Sequence, residues 1–179
     1  APTHLLDDQA GDGDMLAAVY QSVGQAGTAL SLESEAKALL AQFDSNIDLL
    51  KTKSAGQISG RKLLVVQPLP GVPRLRVFAP NSAISMLLSR VGFSTALDMD
   101  PQPFGFTTID LEGLAALDSE TSLFLLSEQL PSELSDAALW PVLPLVAQGH
   151  VHLASTPHWP FGSTASLKRL VEDIVRTFA

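Results

Sequence analysis

Apolar positions recur along this chain with two periods, and the switch between them outlines the fold. From Asp14 to about Gln25, Met15, Leu16, Val19, Tyr20 and Val23 fall at helical spacing, with Gly24 and Gly27 as its expected end. A longer helix follows, capped by Ser31, with Glu33 and Glu35 in its first turn. Leu32, Ala36, Leu39, Leu40, Phe43, Ile47 and Leu50 form its stripe, Lys51 and Lys53 suit its C-terminal dipole, and Gly56 closes it. Past Gly60 the texture becomes strand-like. Leu63-Leu64-Val65-Val66 and Leu75-Arg76-Val77-Phe78 read as two strands with a Pro/Gly breaker between them. Asn81 or Ser82 caps a helix carrying Ile84, Leu87, Leu88 and Val91, which Gly92 ends. A short helix over 111–117, a buried strand over 122–126, a Pro-interrupted helix over 137–147 and a strand over 151–153 come next. The last helix runs over 163–178, with Leu167, Leu170, Val171, Ile174 and Phe178 on one face. Alternating strands and helices predict an α/β fold with a mostly parallel sheet flanked by helices. The organisation expected is a strand-like extended piece and a helix over 1–30, a long helix over 31–56, and an α/β lobe over 57–179.

Two segments break this regularity. Pro103-Phe104-Gly105-Phe106 and His158-Trp159-Pro160-Phe161-Gly162 hold four of the eleven aromatic residues. Loops run over the surface and carry function on a rigid scaffold, so rings concentrated there suggest a ligand surface; rings that plug the end of the sheet are the alternative. In α/β sheets ligands gather beyond the carboxyl ends of the strands, where such loops collect.

Composition narrows the partners. Of 179 residues 46% are hydrophobic and 17% charged, the range of a globular protein, and no apolar run approaches the length of a membrane span. A net charge of -8 without a Lys/Arg cluster offers nothing to nucleic-acid phosphates or anionic lipid. Zero cysteines exclude disulfides, thiolate metal sites and Cys nucleophiles, while leaving the compartment open. Ala1 in place of Met fits either a removed signal peptide or a fragment.

Chemistry-bearing motifs are sparse. His150 and His152 alternate on one strand with His158 just beyond, but no acidic residue lies near them in sequence, and a solvated strand face is the expected reading. No Gly-x-Ser-x-Gly elbow, phosphate loop or dinucleotide fingerprint occurs, so neither a cofactor nor a resident metal is expected. Trp140, in an apolar run, belongs to the core.

The order of Val77-Phe78-Ala79-Pro80-Asn81-Ser82, Pro103-Phe104-Gly105-Phe106-Thr107, Asp110-Leu111-Glu112-Gly113-Leu114, Leu139-Trp140-Pro141-Val142-Leu143-Pro144 and Trp159-Pro160-Phe161-Gly162 resembles the C-terminal lobe of periplasmic iron(III)-siderophore binding proteins of ABC importers, most like the hydroxamate, ferrichrome-type members. The likeness covers residues 62–179. In that family two α/β lobes joined by one stiff helix hold the ligand in a shallow cleft, and the 31–53 helix resembles the connector. Ala1 to Asp7 then resembles the last strand of an N-terminal lobe otherwise outside this sequence. The resemblance implies a periplasmic binding protein, not an enzyme, that takes a ferric siderophore, in a system with an outer-membrane receptor, and delivers it to an inner-membrane permease. It places Phe104 and Trp159 at two cleft Trp positions, Phe161 at a further aromatic position, and Gln102 and Phe106 at polar positions near the ligand. Phe106 departs from the small hydroxyl residue usual there. Glu112 matches the acidic residue that docks onto permease arginines.

Flat rings suit such a ligand, because a ferric hydroxamate is bulky and apolar around a neutral centre. A catecholate chelate is strongly negative and calls for Arg or Lys near the aromatic loops, yet none occurs in 95–110 or 150–166. The alternatives are another large metal chelate (cobalamin, haem or a catecholate siderophore) and, from another class, an α/β hydrolase or transferase using Ser163 or His158. A lone lobe with its connector stripe bare is expected to dimerise or swap through residues 1–53.

Overall fold

The computed structural model describes residues 13–179; the segment over 1–10, expected as a strand, lies outside them. Two helices open the described chain, α1 (Met15–Leu30) and α2 (Glu33–Ile58). The sheet is built from β1 (Lys62–Pro68), β2 (Arg74–Phe78), β3 (Ser94–Thr95), β4 (Phe106–Asp110), β5 (Ser122–Leu125) and β6 (Val151–Leu153). Between and after the strands lie α3 (Ala83–Val91), α4 (Leu111–Ala115), α5 (Ser132–Ser135), a 3-10 turn (Trp140–Val142), α6 (Pro144–Ala147) and α7 (Thr164–Phe178).

The strand order is β4-β2-β1-β5-β6, with β3 added beside the start of β1. The ladders β1/β3, β1/β5 and β5/β6 are parallel, while β1/β2 and β2/β4 are antiparallel. Pro68, Pro70, Gly71 and Pro73 explain the first reversal, since a Pro-rich turn with Gly71 at φ +78° folds β2 straight back onto β1. The parallel part of the sheet keeps the expected α/β pattern, and the antiparallel pair extends it toward the first aromatic loop.

Strand alternation divides the core into two layers. Leu63, Val65, Phe78 and Phe124 face α2, α3 and α7, where Phe43, Ile47, Ile84, Leu87, Leu167, Leu170, Val171 and Ile174 are buried. Leu64, Val66, Leu75, Val77, Leu123 and Leu125 face the opposite way, against Leu111, Leu114, Leu134, Trp140, Leu143 and Leu145. Trp140 is therefore a core residue, as its apolar run implied. Pro141 and Pro144 break the helix expected over 137–147 into the 3-10 turn and α6, because each proline lacks an N–H and crowds the preceding turn.

Three helix boundaries differ from expectation. Gly24 and Gly27 do not end α1, which continues to Leu30 and closes with Ser31 in the left-handed region at φ 57°. Gly27 is instead a point of close approach: a Cβ there would come within 2.6 Å of Ala36 Cβ. Ser31 thus ends α1 rather than capping α2, whose N-cap is Leu32, and α2 runs past Gly56 to Ile58. The stripe of α2 is not left bare. Ala36, Phe43, Ile47 and Ile58 are buried, and Leu50 packs on the core cluster, so α1, α3 and α7 cover most of the stripe expected to lie bare; Leu32 and Leu39 stay open to solvent.

A polar knot ties these helices together. Tyr20 Oη of α1 and Arg90 Nη1 of α3 both donate to Asp44 Oδ1 of α2, and Arg90 also donates from Nη2 to Asp48 Oδ1 at 2.8 Å. Burial, reinforced by the bond to Asp44, pushes the Tyr20 phenol up to about 12.

The two glycines of α1 should respond oppositely to one methyl group. Gly27→Ala must displace Ala36 and should destabilise the protein by about 1–3 kcal/mol. Gly24→Ala meets nothing within 4 Å and should stabilise it by about 0.5–1 kcal/mol through helix propensity. Urea unfolding of both variants tests this; equal effects would refute the close approach.

Candidate ligand-binding wall

The first aromatic loop is held open by one side chain. Asn81 Oδ1 accepts from the Gln102 amide at 3.0 Å, while its Nδ2 donates to the carbonyls of Gln102 and Gly13, each at 2.9 Å. Its backbone carbonyl also accepts from Met15 N at 3.1 Å, so Asn81 joins the start of α1 to the loop. The helix cap that the sequence left between Asn81 and Ser82 falls to Ser82, whose hydroxyl accepts from Ser85 N. Gly105 turns at φ +67°, closed by a bond from its N–H to the Gln102 carbonyl. A Cβ on Gly105 would lie 3.2 Å from both Met15 Cγ and Ser82 Cα, so glycine is needed for space as well as for its dihedral. Phe106 is not a loop residue: it opens β4, a strand the sequence pattern hid, and pairs with Phe78 of β2.

The second loop follows β6 and is fixed from below. Asp173 of α7 is 3% exposed and accepts from Ser155 N at 2.9 Å and from the Ser155 hydroxyl, and His158 Nε2 lies 2.8 Å from its Oδ2. Burial opposes the charge on Asp173, but the Ser155 and His158 bonds outweigh it and hold the carboxyl below its ordinary value. His158 is thereby turned inward, with 4% of its side chain exposed, and the neighbouring residue is presented to solvent. The pairing was invisible in sequence because Asp173 lies 15 residues downstream.

The two loops meet in a continuous row of rings. Phe104 and Phe106 have centroids 6.3 Å apart, Phe106 and Phe161 are 5.5 Å apart, and Phe161 and Trp159 5.6 Å. Phe78 supports Phe161 from the sheet at 5.9 Å. Phe104, Trp159 and Phe161 are 65%, 63% and 43% exposed, so the row is a surface rather than a plug. At its foot a cavity of about 330 Å³ opens between Phe104, Phe106 and Phe161 on one side and Met15, Ala18 and Val19 of α1 on the other. Gln102 stands beside the row, its Nε2 donating to the Asp100 carbonyl.

Arg76 was missed in sequence. Its guanidinium carbon sits 4.5 Å from the Phe106 ring centroid and 5.3 Å from that of Phe161. The absence of Arg or Lys from the loop segments therefore does not leave the wall without a cation, because β2 supplies one. Glu112 is not part of this surface. It is exposed in the first turn of α4, beyond the far end of β4 from Phe106.

Among the described residues the histidines do not converge. His150 Nδ1 is 2.8 Å from the Ser119 carbonyl, His152 packs edge-on against Phe178 at 4.6 Å, and His158 belongs to Asp173. Burial, with Arg61 and His150 adding to it, holds the His152 imidazole below its usual value, so that ring is a packed group rather than a solvated one.

This is the fold of siderophore-binding proteins of ABC importers. In sequence the chain is 26% identical over 158 residues to the iron(3+)-hydroxamate-binding protein FhuD of Escherichia coli K12, an alignment covering 87% of this chain and 52% of that protein. In structure it superposes on the FhuD of Vibrio cholerae crystallised with Fe3+-Desferal, with a TM-score of 0.82 and 18% identity over 96% of this chain and 64% of that one. It also matches a Bacillus subtilis protein described as a periplasmic binding protein component of a Fep/Fec-like ferrichrome ABC transporter, with a TM-score of 0.64 and 21% identity over 90% of this chain and 63% of that one. The chain spans about half the length of the curated relative it matches. No protein-family model matches it.

The Asp173 clamp should show in acid. A carboxyl held below its unfolded value contributes stability that is complete above about pH 4 and is lost as pH falls through the lower native value. Asp173→Asn should lower the melting temperature at pH 7 and flatten its decline between pH 5 and 3. A variant that melts with the wild-type acid profile would exclude the clamp.

Proposed function

We propose that the chain is a binding module for ferric siderophores, of hydroxamate type, that hands its cargo to an inner-membrane ABC permease from the periplasm. One observation carries the reading: two loops distant in sequence bring Phe104, Phe106, Phe161 and Trp159 into one row, with three of the rings open to solvent. Rings in fixed positions give a bulky, largely apolar chelate contact area at little cost in ordering, and without donors that compete for iron. The similarity to FhuD and the fold shared with the Vibrio and Bacillus proteins point the same way. Gln102 supplies a polar contact at the edge of the row, and Glu112, exposed and separate from the rings, is the docking contact to the permease. The geometry does not favour a hydrolase, because the His158–Asp173 pair is buried and directed inward, and its carboxylate holds Ser155 as well rather than leaving His158 to activate a serine.

Tryptophan fluorescence tests the wall, since Trp140 is buried and Trp159 is exposed. Titration of the full-length protein with ferrichrome should quench Trp159, and Phe104→Ala, read by the same quenching, or Trp159→Ala, read by calorimetry, should each weaken binding by about tenfold, the scale of one lost aromatic contact. Absence of quenching by every ferric siderophore would sink the reading. Glu112→Arg should leave siderophore affinity unchanged and reduce transport through the permease, with a salt dependence that the wild type shows and the variant lacks. An unchanged transport rate would remove Glu112 from the docking surface.

A further inference from the structure

The wall carries a positive charge that its immediate neighbours do not neutralise. Arg76 projects from β2 on the sheet face that also bears Phe78, beside Gln67 of β1 and Thr108 of β4 in the ladder. Its Nη1 donates to Gln67 Oε1 at 2.6 Å, and its guanidinium lies over Phe106 and Phe161. These neighbours fix its position and are all neutral. Among the described residues no carboxylate forms an ion pair with it, although the chain as a whole carries a net charge of -8. The loop segments 102–106 and 157–163 contain no acidic residue that could neutralise it. Phe161 is both a ring under this cation, its centroid 5.3 Å from the guanidinium carbon, and one of the open rings of the wall. Partial burial strengthens the field of such a charge, and a planar guanidinium with donors to spare matches carboxylate or phenolate oxygens.

We propose that Arg76 makes this wall selective for ferric chelates that carry net negative charge, a refinement that rests on the siderophore reading above. The charge has two chemical sources: free carboxylates on a hydroxamate chelate, or the triply negative iron centre of a tris-catecholate. Arg76 attracts both and gains nothing from a neutral tris-hydroxamate or from a chelate bearing a free ammonium group.

Four probes separate these ligands in full-length protein: ferrichrome (neutral), Fe3+-Desferal (cationic), a ferric dihydroxamate of citrate (peripheral carboxylates) and a ferric tris-catecholate (charge at the metal centre). Titrated by Trp159 quenching, the wild type should bind at least one of the two anionic chelates more tightly than ferrichrome, and Fe3+-Desferal most weakly. Whichever anionic arm responds identifies the source of the charge. Arg76→Gln should weaken that arm about tenfold, the scale of one charge-assisted contact, and weaken ferrichrome by a clearly smaller factor, so that the ratio of the two affinities falls. Arg76→Lys should recover most of the loss. Wild-type affinity for the anionic chelate should also fall between 50 and 500 mM NaCl while ferrichrome affinity holds, a readout that needs no variant. Equal weakening of all four chelates by Arg76→Gln, or anionic binding that ignores salt, would reduce Arg76 to a support for the rings. Binding of ferrichrome with no binding of either anionic chelate would overturn the selectivity and leave the siderophore reading intact. Silence of all four would overturn both.

Discussion

Phe161 is the contact on which the wall depends. Its ring touches Phe78 from the sheet, Phe106 from the neighbouring strand, Trp159 from its own loop and the guanidinium of Arg76. Two loops more than fifty residues apart become one surface only because this ring stands where they meet. Aromatic pairs at such separations contribute about 0.5–1.5 kcal/mol each beyond the area they bury, enough in sum to fix the relative position of the loops. The pairing of Phe78 with Phe106 across β2 and β4 sets the height at which Phe161 can dock, so the antiparallel extension of the sheet is part of the site.

Behind that contact both loops are fastened by polar groups with satisfied bonds. Asn81 divides its amide between the start of α1 and the first loop, and Asp173 gathers both the amide and the hydroxyl of Ser155 together with His158. Gly162 contributes by absence: a Cβ there would fall 2.4 Å from Ser166, so the second loop can lie against the first turn of α7 only with glycine in that place. These are the features of a preorganised surface, in which ordering cost is met during folding rather than on binding.

The sequence disclosed periodic elements well and contacts between elements poorly, for a physical reason. The stripe of α7 and the cap and stop of α3 are local patterns, and Leu167, Leu170, Val171, Ile174 and Phe178 are all buried. The strand β4 gave no such signal. As the outermost strand of its side of the sheet it shows no burial alternation, and Phe106-Thr107-Thr108-Ile109 reads equally well as the tail of a loop. Gly27 sounded like a helix end because its packing role depends on Ala36 across the α1–α2 turn. Arg76 and Asp173 were hidden in the same way, since each acts on residues brought near only by the sheet or by α7. The aromatic loops themselves were legible, because their residue types contradict what loops ordinarily contain.

Rigidity and tolerance are compatible in such a surface. Its rings present faces rather than directional donors, so chelates of different outline can rest against them, and discrimination must come from the few polar groups at the margin. Gln102 offers an amide there, and Arg76 a charge that its own neighbours leave unneutralised. On the proposed reading, the aromatic contact is nearly indifferent to ligand charge while a half-buried guanidinium is not, which assigns affinity and selectivity to different residues of one wall. The same division would account for Phe106 where the resemblance implies a small hydroxyl residue: its ring joins the row through Phe104 and Phe161, and the polar group beside it is supplied by Arg76 of the neighbouring strand.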